Sequence, residues 1–142
     1  MGTGNPQYQW TKVELYGNNN SGNPIRFTIA DGVSVSANTV LYLTEDREAS
    51  GAALGTAAVA GVAAMDKEYL DGSTSISVYT DGVFLATASF AVTAGNPICM
   101  DSLTPNTVMT PATASLGSGA ITIGYALDTI AANTRGNIRL RL

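Results

Sequence analysis

The stretch that decides the fold is "AGVAAMD", residues 60–66, together with its echo "IGYALD" at residues 123–128. Both place an alanine two positions after a glycine, with an aspartate soon after. Extended outward, the echo becomes a series of four phrases. A first unit opens with "DGVSV" at Asp31, passes "NTVLYLT" at 38–44 and "GVAAMD" at 61–66, and closes on "TSISVY" at 74–79. A second opens with "DGVFL" at Asp81, passes "GNPICMD" at 95–101 and "GYALDT" at 124–129, and closes on "GNIRLRL" at 136–142. Each phrase is weak alone, because Gly, Ala and Asp are common here. Their shared order points to an internal repeat, approximately 31–80 and 81–142. A glycine recurring at one place in a strand marks a sharp bend or the close approach of another backbone.

The segments around these phrases read as strands. In "IRFTI", Ile25, Phe27 and Ile29 point one way and Arg26 and Thr28 the other. "NIRLRL" alternates likewise, with Ile138, Leu140 and Leu142 opposite Arg139 and Arg141. Period-two alternation suits a half-buried strand. The runs at 40–44, 75–80, 84–90 and 120–127 add β-branched and aromatic residues, and Asp31-Gly32, Asp71-Gly72, Asp81-Gly82 and the glycine-rich stretches between them read as turns. The alanine-rich run 47–65 favours helix by composition. Gly51, Gly55 and Gly61 interrupt it, at about 1 kcal/mol each in a helix interior. It is expected as a loop from Glu45 to about Thr56 leading into a small-residue strand that ends near Met65, with a short helix as the alternative. The expectation is an all-β chain: a compact β-barrel or β-sandwich-like domain built from two duplicated β units. Residues 1–24 read as an extended N-terminal arm and first strand, and 25–142 as the β domain.

Composition narrows function. Ala, Ser, Thr and Gly supply 63 of the 142 residues, and only 13% are charged, about half the usual share. The net charge of −4 opposes generic nucleic-acid binding, which needs a positive field to displace counterions. The opening "MGTGNPQYQW" has neither the basic n-region nor the apolar h-region of a signal peptide, and no apolar run has the length of a membrane span. The single cysteine, Cys99, forms no intramolecular disulfide and sits among apolar neighbours as a small buried hydrophobe.

No catalytic motif is legible. The absence of histidine removes Ser-His and Cys-His dyads, and with one cysteine it removes ordinary zinc sites. No phosphate-binding glycine loop is present. Most aspartates follow turn patterns rather than forming an acid–base pair. "TEDRE" at 44–48 lacks EF-hand spacing and reads as a solvated loop. No catalytic residue, metal, cofactor or small-molecule substrate is expected.

Two features suit a protein contact. Tyr8, Trp10 and Tyr16 share one parity of an early strand, opposite Val13 and Leu15. If Val13 and Leu15 face the core, the aromatics face outward as an interface; on the other parity Trp10 anchors the core. The sequence leaves both open. Three of the seven basic residues, Arg135, Arg139 and Arg141, fall in the last eight positions. They form either a solvated strand face or, at Arg139 and Arg141, a contact with an acidic partner surface.

The succession "DGVSVSANTVLYLT", an Ala/Gly/Thr-rich loop, "AAVAGVAAMD", "SISVYTDGV", "TAGNPICMD" and "AITIGYALD" closing on "IRLRL" resembles small capsid decoration (cement) proteins of tailed bacteriophages. The resemblance runs from about Ile25 to Leu142. It implies a non-enzymatic, head-stabilising virion protein, made in the host cytoplasm and bound to the outer capsid surface, commonly as a homotrimer. Its partners would be the major capsid protein and itself. Two rivals remain at this point: a carbohydrate-binding or adhesive β module of a phage tail or fibre, stacking sugars on Tyr8 and Trp10, and a self-assembling shell subunit.

Overall fold

Short alternating runs separated by turn residues give strands, and every regular element among the described residues is a strand. The computed structural model describes residues 9–15, 24–51, 58–101, 106–110 and 122–142. In chain order these carry β1 (Thr11–Glu14), β2 (Ile25–Thr28), β3 (Val40–Glu45), β4 (Glu48–Ser50), β5 (Val59–Ala63) and β6 (Ser75–Tyr79). They continue with β7 (Asp81–Ala88), β8 (Pro97–Met100), β9 (Thr107–Met109), β10 (Gly124–Ala126) and β11 (Arg135–Arg141). No helix long and apolar enough to cross a membrane occurs among the described residues.

Five strands close into a barrel in the order β2-β4-β3-β5-β6. The remainder form a sheet in the order β1-β7-β11-β10-β8-β9, and an additional pairing of β7 with β9 joins its ends into a second ring, with β1 laid beside β7. Both sets follow one pairing diagram. β2 pairs antiparallel with β6 and parallel with β4, just as β7 pairs with β11 and β9. β3 pairs antiparallel with β4 and β5, as β8 does with β9 and β10. β5–β6 matches β10–β11. The isolated bridges Val35–Lys67 and Val92–Ile130 correspond as well. So do three left-handed turn positions: Asn38 with Gly95, Arg47 with Asn106, and Leu70 with Asn133.

This register sets residue 38 against 95 and 61 against 124, the alignment of the two inner phrases. The outer phrases shift. The counterpart of β7 is β2, upstream of the expected start at Asp31, and Asp81-Gly82 lies inside β7 instead of forming a turn. The similar words at 31 and 81 do different jobs: Asp31-Gly32 turns the chain after β2, whereas Gly82 lets β7 run close beneath the Glu14 carbonyl. At the closing end, Ser75 opposite Thr28 matches Arg135 opposite Thr87, so "TSISVY" corresponds to residues 134–139. The loop expected from Glu45 contains a strand, β4. Arg47 at φ 51° reverses the chain tightly enough for Glu48 to pair back on Glu45, and its carbonyl accepts the Thr28 N–H at 2.6 Å.

The repeated glycine has a direct cause. Gly61 lies opposite Leu41, and Gly124 lies opposite Ile98 at the equivalent place. A Cβ at Gly61 would fall 2.2 Å from the Tyr79 carbonyl oxygen, and one at Gly124 would fall 1.8 Å from that of Arg139. In both units the neighbouring backbone occupies the space a side chain would need.

Alternation along β3 and β6, and a register shift in β5 between Val59 and Gly61, sort side chains into two cores. Leu41, Ala60, Ala63, Ile76 and Val78 face into the first barrel with Ile29, Val35 and Ala49. Val40, Tyr42, Val62 and Tyr79 point the opposite way and join Phe84, Ile98, Val108, Ile123, Ile138 and Leu140 in a cluster continuous with the second unit's interior. These strands are thus buried on both faces, and the barrels share an apolar seam.

Replacing Gly124 with Ala is expected to cost about 3 kcal/mol or more through this backbone clash, lowering Tm by roughly 6–12 °C for a chain of this size. Gly51→Ala, at an exposed position where a Cβ meets nothing within 4 Å, is expected to leave Tm nearly unchanged. Thermal denaturation of both variants checks this.

Candidate functional site

The structure separates the residues singled out from sequence. Tyr8 and Tyr16 lie outside the described residues. Trp10 is 2% exposed and belongs to the core, which corrects the outward orientation. Of the two orientations left open, the core anchor is the one observed, and simple alternation does not hold because β1 is bulged. Lys12 pairs with Phe84 and Glu14 with the adjacent Val83, so Val13 is squeezed out and stands 51% exposed. The bulge resets the alternation and lets Trp10 and Leu15 both reach the core despite their opposite parity.

Trp10 closes the seam between the barrels. Its ring lies 5.6 Å from that of Phe84, tilted by 52°. Its Nε1–H donates to the Asn106 carbonyl at 2.9 Å, and its backbone N–H donates to the Asn38 carbonyl at 3.0 Å. Asn106 in turn accepts the Val40 N–H on its Oδ1 at 2.9 Å. A residue of the arm thereby ties a turn of the second unit to the first strand of the seam.

The C-terminal arginines divide. Arg139 forms an ion pair with Asp81, Nη2 to Oδ1 at 3.0 Å, with its Nε–H on the same oxygen. Arg135 donates to the carbonyls of Gln9 and Leu85 and so holds the arm's last residues against β7. Arg141 is exposed at the strand end.

Nothing described assembles a reactive centre. Cys99 is buried, and desolvation followed by the Asp101 carboxylate pushes its thiol up. The same two causes push the Tyr42 hydroxyl up to about 12. No group of three or more potential metal-ligating side chains occurs among the described residues.

One polar cluster was not foreseen. Lys67, 2% exposed, lies at the end of the first barrel. Its Nζ donates to the carbonyls of Asp31 and Glu68, both at 3.0 Å, and to carboxylate oxygens of Asp31 at 3.4 Å and Asp71 at 3.1 Å. The carboxylates are occupied in turn: Asp71 accepts the N–H groups of Glu68 and Ser73, and Asp31 accepts that of Gly72. The buried ammonium is thus fully paired and locks the 68–73 turn. The signal was present in the echo, because aligning "GVAAMDK" with "GYALDTI" sets Lys67 against Ile130, a lysine at a core position.

Two like barrels joined by a buried seam define an all-β protein. The family described as Phage cement protein matches residues 20–142, a span that includes every strand of both barrels, and the chain belongs to that family. Its role is structural and capsid-associated, with the virion capsid as its location. No curated protein matches the chain.

Trp10→Ala is expected to destabilise the protein by about 3–5 kcal/mol, seen as a large fall in Tm and not as a selective loss of binding. Asp71 is held below the ordinary carboxylate range, first by the Ser73 N–H and then by Lys67. A depressed carboxyl contributes stability above its unfolded pKa and loses it as pH falls through the folded value. Tm should therefore decline below about pH 4, and Asp71→Asn should flatten that part of the profile, as followed by melting at stepped pH.

Proposed function

We propose that the protein binds the outer surface of the phage head and clamps neighbouring major capsid subunits, as a homotrimer and without a catalytic step. The observation that carries this reading is the family match over 20–142, which spans both barrels and the seam. The physics of the body is compatible with it. Strands buried on both faces make a stiff unit, and the many equivalent positions on a shell let modest contacts act together through avidity. Gln9 and Trp10 are tied to the body, and Tyr8 is kept as a candidate capsid contact. Arg141, at the exposed end of β11, is a second candidate contact.

The carbohydrate-binding alternative stacks sugars on Tyr8 and Trp10, of which Trp10 is among the described residues. That ring lies against Phe84 in the core and offers no face to a sugar, so the capsid reading is preferred.

The test is co-sedimentation of the purified chain with heads of the phage that encodes it, together with imaging of the decorated particles. Binding to expanded heads and not to unexpanded ones, with three copies around local threefold positions, is expected. Failure to bind either form would overturn the proposal.

A further inference from the structure

The turn at 69–70 is costly to the free protein in two ways. Tyr69 is 64% exposed and Leu70 60%. Leu70 also sits at φ 54°, a left-handed conformation that crowds its Cβ against the backbone and that asparagine or glycine adopts more readily. The other barrel shows what the fold alone requires at this place. Its corresponding turn carries Ala132 and Asn133, with Asn133 at φ 62°. A leucine in the same conformation, turned toward solvent, gains neither backbone ease nor burial within its own chain.

The turn is nevertheless firmly held. The Leu70 N–H donates to the Asp31 carbonyl at 2.9 Å, and the paired Lys67 braces the turn through Asp31, Glu68 and Asp71. An apolar pair already fixed in place loses little conformational freedom when it is captured. Its surroundings also select the kind of partner. Two carboxylates, on Asp31 and Asp71, meet the single buried ammonium, and Glu68 adds a further acid to the same turn, leaving it net negative. Tyrosine is among the residue types enriched as interface anchors, and the acidic rim calls for basic groups opposite.

We infer that Tyr69 and Leu70 insert into an apolar recess flanked by lysine or arginine side chains on the capsid protein. The inference rests on the capsid-binding reading above and adds to it the contact itself.

The experiment compares wild-type chain, Leu70→Asn and Tyr69→Ser for binding to phage heads that lack the protein, with Tm measured in parallel. Leu70→Asn installs the residue the second barrel uses. It is expected to raise Tm while weakening head binding, so the two readouts move in opposite directions, which fold damage does not produce. Tyr69→Ser should weaken binding about thirtyfold, the scale of an interface anchor, with Tm little changed. Wild-type binding should also weaken as salt is raised. If Leu70→Asn instead lowers Tm, Tyr69→Ser decides alone, since Tyr69 has no left-handed backbone to disturb. Wild type bound and both variants bound equally well would overturn the anchor while leaving capsid binding intact. Wild type unbound would overturn both.

Discussion

The architecture hinges on Asn106. It stands at φ 63°, 5% exposed, at the turn before β9. Its carbonyl takes the Trp10 indole N–H, and its side chain takes the Val40 backbone N–H. Arm, first barrel and second barrel meet at one residue, and every polar atom named there is buried and satisfied. An unsatisfied donor at such a place costs about 1–3 kcal/mol, so the joint specifies how the barrels dock as well as stabilising it. The apolar seam of Val40, Tyr42, Val62 and Tyr79 supplies non-directional attraction. The Asn106 bonds make one arrangement of that seam better than its neighbours.

The places where the two units differ are as informative as those where they agree. Inside the second barrel Ile130 lies so close to β11 that a Cβ on Gly136 would fall 2.4 Å from it. The equivalent places in the first barrel hold Lys67 and Ile76, by the shared register. There the bulk is on the strand residue, and the other side chain ends between the carboxylates of Asp31 and Asp71. One backbone plan accommodates either choice because volume is exchanged across facing positions. The exchange gives one barrel a charged, braced end that the other lacks.

How much of this the amino-acid order revealed depended on the kind of constraint. Strand character and the equivalence of Gly61 with Gly124 were legible, because alternation and a forbidden Cβ leave direct marks on residue choice. β4 and β9 were not, being three residues each and too short to show a period. Trp10 was misoriented on one of two open readings because a bulge breaks the count of two, and no residue type announces a bulge at Val13. Asp81-Gly82 looked like a turn because the dipeptide usually is one, yet here its glycine serves close strand approach. The Lys67 cluster joins Asp31 to Asp71 across forty positions, and pairings of that range are invisible until the register is known.

The shared seam also bears on how the chain comes to be folded as it leaves the ribosome. Synthesis delivers β2 to β6 before any of β7 to β11, so the first barrel can close while its outer face of Val40, Tyr42, Val62 and Tyr79 has nothing to cover it. β1, although made earliest, has its partner in β7 and must wait with Trp10 undocked until about seventy more residues have emerged, as counted along the sequence. A half-made chain is therefore a sticky one, exposing a greasy barrel wall and a loose strand at once. Translation speed through the second half sets how long that hazard lasts.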